Sequence, residues 1–333
     1  MKVKIIAEIG QAHEGSLGIA HSYIEALSNT GIDIIKFQTH IAEAESSSEE
    51  PFRVKFSYED KTRFDYWKRM EFTLEQWIGI KNHCDQKGLE FMSTPTCLAA
   101  VDLLEKVGVK SYKVGSGDIT NLLLLEKIAQ TGKPIIISSG MSSITELQQA
   151  VDLIHQNDNQ ISILQCTSKY PTKPSDMGFN LINLYRTKFN VPIGFSDHSG
   201  TIFPSLAATA LGAQIIEFHV VFDRMIFGPD SKSSLNINEI KTLSKGIRFI
   251  ENAQNYQHEN DLDDALKNMK NIFEKSLSVN KNLFMGHIIS FDDLESKKPS
   301  NLGIPAKHFD NVVGKRLNKD KNKFDFLNYE DIG

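Results

Sequence analysis

The sequence predicts an α/β chain, a (β/α)8 TIM barrel followed by a small β-rich domain. Three observations carry this. Short apolar runs alternate eight times with longer amphipathic stretches, the order expected of a parallel sheet covered by helices. The first run leads into GQAHEGS rather than the glycine fingerprint that an open, dinucleotide-binding sheet places there. After the last amphipathic stretch the chain turns polar and then breaks into short β-like runs. A length of 333 residues accommodates a barrel of about 250 residues plus something small.

The predicted strands are residues 4–9, 34–38, 90–93, 111–114, 135–138, 161–166, 193–196 and 214–218, each short and rich in Ile, Val or Phe. Helices are expected over 17–28, 73–87, 99–107, 120–130, 143–156 and 203–211, with a last one over 238–252, because their apolar residues recur at helical spacing. The barrel is thus assigned to 1–258 and a polar, partly helical linker to 259–273. A terminal domain, 274–333, carries the β-like runs SLSV, HIISFDDL, KKPSNLGIPAKHF and VVGKRL. That last segment is short for a large core and is expected to lean on another surface.

Composition narrows the function. With 40% hydrophobic and 24% charged residues, a net charge of −5 and a pI near 6.1, the chain has no basic signature for nucleic acid or an anionic membrane. Cys84, Cys97 and Cys166 are too few for a disulfide framework and lack zinc-site spacing, so reduced, buried thiols in a cytoplasmic protein are expected. The opening MKVKIIAEIG lacks the apolar core of a signal peptide, and no stretch reaches the ~20 apolar residues of a membrane span.

Catalytic groups of such barrels gather where the strands end at their C-terminal side. Here those ends are polar: Glu8, Lys36 with Gln38, Thr94, Lys113 with Ser116 and Asp118, Ser138, Ser168 with Tyr170, Ser196 with His198, and Glu217 with His219. A ring of isolated buried charges is costly without a ligand. Lys36 and Lys113, with hydroxyls from Thr94, Ser116, Ser138 and Ser196, suit a small substrate with two anionic groups. His198 and His219 close neighbouring strands, so their imidazoles are expected to converge on one divalent metal; with carboxylate and water they suit Mn²⁺, Fe²⁺, Co²⁺ or Zn²⁺. His13 and His40 are placed in loops near the barrel mouth.

The stretches AEIGQAHEGS, IIKFQTH, FMSTP, YKVGSGD, IIISSGM, QCTSKYPT, GFSDHSG, EFHVVFDR and GPDSKSSL, in this order, resemble the sialic acid synthase (N-acetylneuraminate synthase) family over nearly the whole chain. The terminal segment resembles that family's antifreeze-like (SAF) domain, which lids the active site of the partner subunit in a domain-swapped homodimer. The resemblance implies condensation of phosphoenolpyruvate with a hexosamine aldehyde, with phosphate released. The acceptor would be N-acetylmannosamine or a 2,4-diacetamido or dideoxy relative. It implies a divalent metal, Mn²⁺ foremost with Mg²⁺ or Co²⁺ as alternatives, on His198 and His219. Lys36, Thr94, Lys113, Ser116, Ser138 and Ser196 would hold phosphoenolpyruvate. Glu8 would act near the aldehyde, and Ser168 stands where synthases can have asparagine. Asp118, Tyr170 and Asp230 would lie near the sugar, with Asp118 or Glu8 positioning water.

Three departures bear on the sugar. Asp118 stands where the family often has glutamate, Phe218-His219-Val220-Val221 keeps only the histidine of Lys-His-Phe-Thr, and Lys297-Lys298-Pro299-Ser300 replaces Lys-Arg-Pro-Gly. Lys298 lacks the planar fork of the arginine it replaces. Rival readings are a Schiff-base pyruvate aldolase using Lys36 or Lys113, and a sugar-binding protein without catalysis. A 3-deoxy-octulosonate-phosphate-type synthase would share the chemistry but lack the terminal domain.

Overall fold

The structure is a computed structural model that describes residues 2–54, 56–254 and 263–333. The first unit contains β1 (Lys4–Gly10), α1 (Leu17–Leu27), β2 (Ile34–Thr39), α2 (Ala42–Glu45), α3 (Arg63–Met70), α4 (Leu74–Gln86), β3 (Glu90–Pro95), α5 (Leu98–Val107) and β4 (Tyr112–Val114). It continues through α6 (Leu122–Ala129), β5 (Ile135–Ser138), α7 (Ile144–Gln156), β6 (Ile161–Cys166), α8 (Phe179–Phe189), β7 (Ile193–Asp197), α9 (Phe203–Ala210), β8 (Ile215–His219) and α10 (Ile237–Gln254). β1 to β8 are all parallel and close into a barrel, with β1 paired to β8. The predicted (β/α)8 barrel is therefore present, its strands within a residue or two of their expected bounds.

Strand periodicity positions the site. Side chains two residues apart point to the same side of a strand. Ile6, Ile34, Met92, Ile136, Leu164 and Ile215 pack together as an apolar plug inside the barrel. Two residues further along each of those strands stand Glu8, Lys36, Thr94, Ser138, Cys166 and Glu217. The plug thus ends where a polar layer begins. β7 contributes Gly194 to the plug level, where an added Cβ would lie 2.4 Å from the Ile215 carbonyl oxygen and 2.5 Å from the Leu164 side chain. Only glycine lets the strands approach so closely, and Ser196 follows two residues later.

Outside the barrel, Thr73 and Ser143 close capping boxes with Gln76 and Glu146, fixing the starts of α4 and α7. Between β2 and α4 the chain makes an excursion that the sequence reading left without elements. It holds α2 and α3, the latter started by a Thr62–Asp65 capping box, around Tyr66, Trp67 and Met70.

The chain divides into two compact units at residues 256/257. The assigned barrel–linker boundary, 258/259, lies outside the described residues. The second unit holds α11 (Asp264–Phe273), inside the stretch assigned as linker, and the antiparallel pair β9 (Ser276–Val279) and β10 (Leu294–Lys297). Of the four β-like runs, SLSV forms β9, whereas the others make isolated bridges and 3-10 turns. This unit has a small core of its own, built on Leu277, Val279, Leu283, Ile289, Ile304, Val312, Leu317 and Leu327. Among the described residues no helix is long and apolar enough to cross a membrane.

Candidate active site

The polar layer is an ion-paired quartet. Lys36 Nζ pairs with Glu8 Oε2 and lies 3.8 Å from Glu217 Oε2; Lys113 Nζ lies 3.9 Å from Glu217 Oε1. Lys113 also donates to Ser138 Oγ at 2.6 Å and to the Val114 carbonyl at 2.8 Å, while Ser196 Oγ donates to Glu217 Oε1 at 3.0 Å. Lys36 reaches Thr94 Oγ1 at 3.4 Å. All of these side chains are buried. Burial pulls the Lys36 ammonium down, but Glu217 and Glu8 outweigh it and raise its pKa. At Lys113 burial prevails and the pKa falls. Burial likewise opposes the Glu217 carboxylate, yet Lys113 and Lys36 hold its pKa below the usual range.

Two lysines thus face two carboxylates. The sequence reading took the lysines as free anion seekers and mentioned Glu217 only as a strand end. The structure gives each lysine a carboxylate partner, as deep burial of an ammonium requires. An anionic ligand would have to take those partners' place.

Glu8 heads a hydrogen-bonded chain toward the barrel mouth. Gln38 Nε2 donates to Glu8 Oε1 at 2.8 Å, and Gln11 Nε2 donates to Gln38 Oε1 at 2.5 Å. Gln11 Nε2 also lies 3.3 Å from His40 Nε2, and His40 Nδ1 lies 2.8 Å from Glu45 Oε1. The His40 ring stacks on Trp67 with centroids 4.1 Å apart. Of this chain, the sequence predicts Glu8, Gln38 and His40 near the barrel mouth.

His198 and His219 come together as expected, with ring centroids 5.3 Å apart. His198 Nδ1 donates to the Thr167 carbonyl at 3.0 Å, which aims Nε2 away from the backbone and toward Ser196 Oγ and Tyr170 OH, at 3.5 and 3.4 Å. A histidine held through one nitrogen by a backbone carbonyl is a usual arrangement of a metal ligand, although here Nε2 also lies within reach of two hydroxyls. Burial lowers the His219 pKa and favours its neutral, ligating form. At His198 burial is outweighed by Cys166, lifting the pKa to about 9, so an ion there would displace a proton. Among the described residues no third histidine, cysteine or carboxylate completes a protein-only cage. An ion held by this pair would need its remaining positions filled by water or substrate.

Above the layer lies a cavity of about 500 Å³. Ser116, Asp118, Ser168, Tyr170, His219 and Asp230 line it. Ser116 and Ser168 sit close against Gly140, where an added Cβ would meet their hydroxyls at 2.7 and 2.5 Å, and Gly140 N donates to Ser116 Oγ at 3.1 Å. Burial raises the pKa of the Asp118 carboxyl, bringing it nearer the range of a proton-transfer group. Tyr170 stacks on His198, centroids 4.2 Å apart. Asp230 Oδ2 lies 3.9 Å from His219 Nδ1. Lys298 belongs to the second unit, where its ammonium sits 4.6 Å from the Phe273 ring centroid.

A family model described as the NeuB family matches residues 23–259. The N,N'-diacetyllegionaminic acid synthase of Campylobacter jejuni is 35% identical over 324 residues, 96% of this chain and 96% of that protein. The chain belongs to the NeuB family. A second relative, human N-acetylneuraminate-9-phosphate synthase, is 33% identical across 94% of this chain and 88% of that protein. Among solved structures, the N-acetylneuraminic acid synthetase of Leptospira borgpetersenii in complex with citrate is 30% identical, with a TM-score of 0.72 over 81% of this chain and 90% of that one. This NeuB-family chain is therefore similar along almost its whole length to proteins named as nonulosonic acid synthases.

Proposed function

We propose that this chain condenses phosphoenolpyruvate with an acylated hexosamine aldehyde to form a nonulosonic acid and phosphate. The observation that carries the reading is the paired-lysine layer, linked through Gln38 to a cavity that His219 lines, with His198 packed beside His219. Phosphoenolpyruvate brings a carboxylate and a phosphate close together, and Lys36 and Lys113 are two cations backed by the hydroxyls of Thr94, Ser138 and Ser196. When the ligand's oxygens replace Glu8 at Lys36, the Glu8 carboxylate is released, still held through Oε1 by Gln38. It can then accept a proton from water.

The C3 methylene of phosphoenolpyruvate attacks the aldehyde carbon, forming the C–C bond. Water adds at C2, positioned by Glu8 or Asp118, and phosphate leaves by C–O cleavage. The lysine–hydroxyl cradle holds the two reactants at bonding distance, which removes most of the entropic barrier to a bimolecular step. A divalent ion, Mn²⁺ by preference, bound by His198 and His219 would supply Lewis-acid polarisation of the aldehyde oxygen. The second unit is read as an SAF-type lid serving a partner subunit of a cytoplasmic homodimer, with Lys298 reaching that subunit's sugar.

The relatives' names span legionaminic, neuraminic and pseudaminic products, which supports the product class. The test is phosphate release from phosphoenolpyruvate and Mn²⁺ with N-acetylmannosamine and with 2,4-diacetamido hexoses. Turnover with at least one is expected; release with none overturns the reading. The lowered pKa of Lys113 favours one second reading, a Schiff-base aldolase. Borohydride trapping with pyruvate separates the two, since only the aldolase leaves a stable adduct.

A further inference from the structure

Arg53 lies in the excursion between α2 and α3, to which the sequence reading gave no role. Its guanidinium carbon stands 4.3 Å from the centroid of the Tyr170 ring. Its Nη2 donates to Asp230 Oδ1 at 2.5 Å and to the Pro229 carbonyl at 3.3 Å. One side chain from the loop after β2 thereby joins the loops after β6 and β8 across the cavity wall. Tyr58 reinforces the contact by packing edge-on against Phe227, centroids 5.4 Å apart.

Both contacts made by hydrogen bonding use Nη2. Among the described residues, Nε and Nη1 donate to no protein group, although Arg53 lines the cavity. Its side chain keeps 39% of its exposure, so these donors stay solvated until a ligand displaces the water. The charge around it decides what kind of ligand fits. Among the described residues, Glu45, Glu50, Asp118 and Asp230 line the same cavity with two guanidiniums, those of Arg53 and Arg63. Arg63 is itself engaged by Glu50 at 3.2 Å and Arg53 by Asp230. A sugar phosphate would enter a wall whose described residues carry more carboxylates than cations. A neutral carbonyl oxygen would meet the unpartnered Nη1–H donor without that repulsion.

We propose that Arg53 is an acceptor-specificity residue, whose free Nη1–H group binds an acylamido carbonyl oxygen of a neutral, unphosphorylated amino sugar. This rests on the proposed condensation for the nature of the acceptor, but binding can be measured without turnover. The probes are N-acetylmannosamine, a 2,4-diacetamido hexose, N-acetylmannosamine 6-phosphate and mannose, titrated by calorimetry or saturation-transfer NMR into the full chain with phosphoenolpyruvate present. Wild-type protein, Arg53→Ala and Arg53→Lys are compared, with thermal melting to show that each is folded.

Arg53→Ala is expected to weaken at least one acetamido sugar tenfold or more, to leave phosphoenolpyruvate binding within twofold, and to leave mannose unaffected. Arg53→Lys keeps the charge but cannot hold Asp230 through one nitrogen and present a second donor at the Nη1 position, so it recovers only part of the loss. The 6-phosphate binds wild type more weakly than its neutral parent. Equal weakening of mannose and the acetamido sugars would show that Arg53 merely pins the loops, and would overturn the inference. So would unchanged binding in Arg53→Ala, full recovery in Arg53→Lys, preference for the phosphate, or failure of wild type to bind any acetamido sugar. If Arg53→Ala does not fold, Arg53→Lys and Arg53→Gln decide by the same comparison. Sugar binding without phosphate release would instead refute the condensation and leave the role of Arg53 standing.

Discussion

Replacing Glu217 with glutamine tests whether the buried layer is an electrostatic unit. The two ammonium groups lie 3.8 and 3.9 Å from its two oxygens, so at an effective dielectric constant of about 20 each attraction is worth about 4 kcal/mol before desolvation is subtracted. Glutamine keeps the shape and an acceptor for Ser196 but removes the charge, leaving Glu8 alone against two lysines. Removing one partner of a buried pair costs about 3–5 kcal/mol. Lys113 limits the loss, because it can shed its proton: moving from an ordinary pKa of about 10.4 to neutral form at pH 7.5 costs about 4 kcal/mol. A loss of about 3–4 kcal/mol at pH 7.5 is expected.

The sign of the pH dependence follows from Lys113, whose pKa burial already depresses. In Glu217→Gln it falls further, so between its folded and unfolded pKa values the unfolded chain binds more protons and stability rises with pH. The deficit relative to wild type should therefore narrow between pH 7.5 and 9.5. Urea unfolding of both proteins at the two pH values, followed by tryptophan fluorescence of the barrel, measures it. A deficit below about 1 kcal/mol, or one that widens with pH, would refute the reasoning.

Other outcomes follow from the same geometry. Chelation with EDTA should abolish phosphate release and Mn²⁺ should restore it, with His198→Ala and His219→Ala mimicking chelation while circular dichroism stays that of a folded barrel; full turnover in metal-free enzyme contradicts the metal reading. Reaction in ¹⁸O-water should label the sugar product and leave phosphate unlabelled, whereas labelled phosphate would mean P–O cleavage. Lys298→Ala should raise KM for the sugar with little change for phosphoenolpyruvate, lowering kcat/KM roughly ten- to a hundred-fold, the value of one charge-assisted hydrogen bond. In heterodimers of Lys298→Ala with His198→Ala, near-normal activity would mean that each lid serves its own barrel.

The barrel was legible because its signal is redundant. Each strand is an apolar run of a few residues bounded by turns, and eight repeats leave little choice of architecture. The helices from Thr73 and Ser143 were legible from apolar residues at helical spacing, and the structure adds a capping box at each start. α3 carries a comparable Thr62–Asp65 signal, but it sits in an extra excursion with no counterpart in the repeating unit. α8 begins after Gly178 with no side-chain cap, so its start has no local mark. In the second unit, the apolar residues of the runs after SLSV serve a small core reached through turns and single bridges, and strand-like alternation overstates regular pairing there.

For the site, strand ends reveal which residues share a level but not how their charges pair. Glu8, Lys36, Lys113 and Glu217 all stood at predicted strand ends, yet a list of strand ends cannot show that Glu217 reaches both lysines. That follows from closure, because β8 returns beside β1 and sends the Glu217 side chain into an interior narrow enough for all four groups to meet. Arg53 is harder still to foresee. Its meaning depends on Tyr170 and Asp230, which lie over a hundred residues away on two other loops, and on a donor pattern visible only once those contacts are known. Residues on the strands inherit their place from a periodic scaffold and can be read one strand at a time. Residues on the loops above acquire theirs from one another, which is why the chemistry of the reaction was easier to anticipate than the choice of sugar.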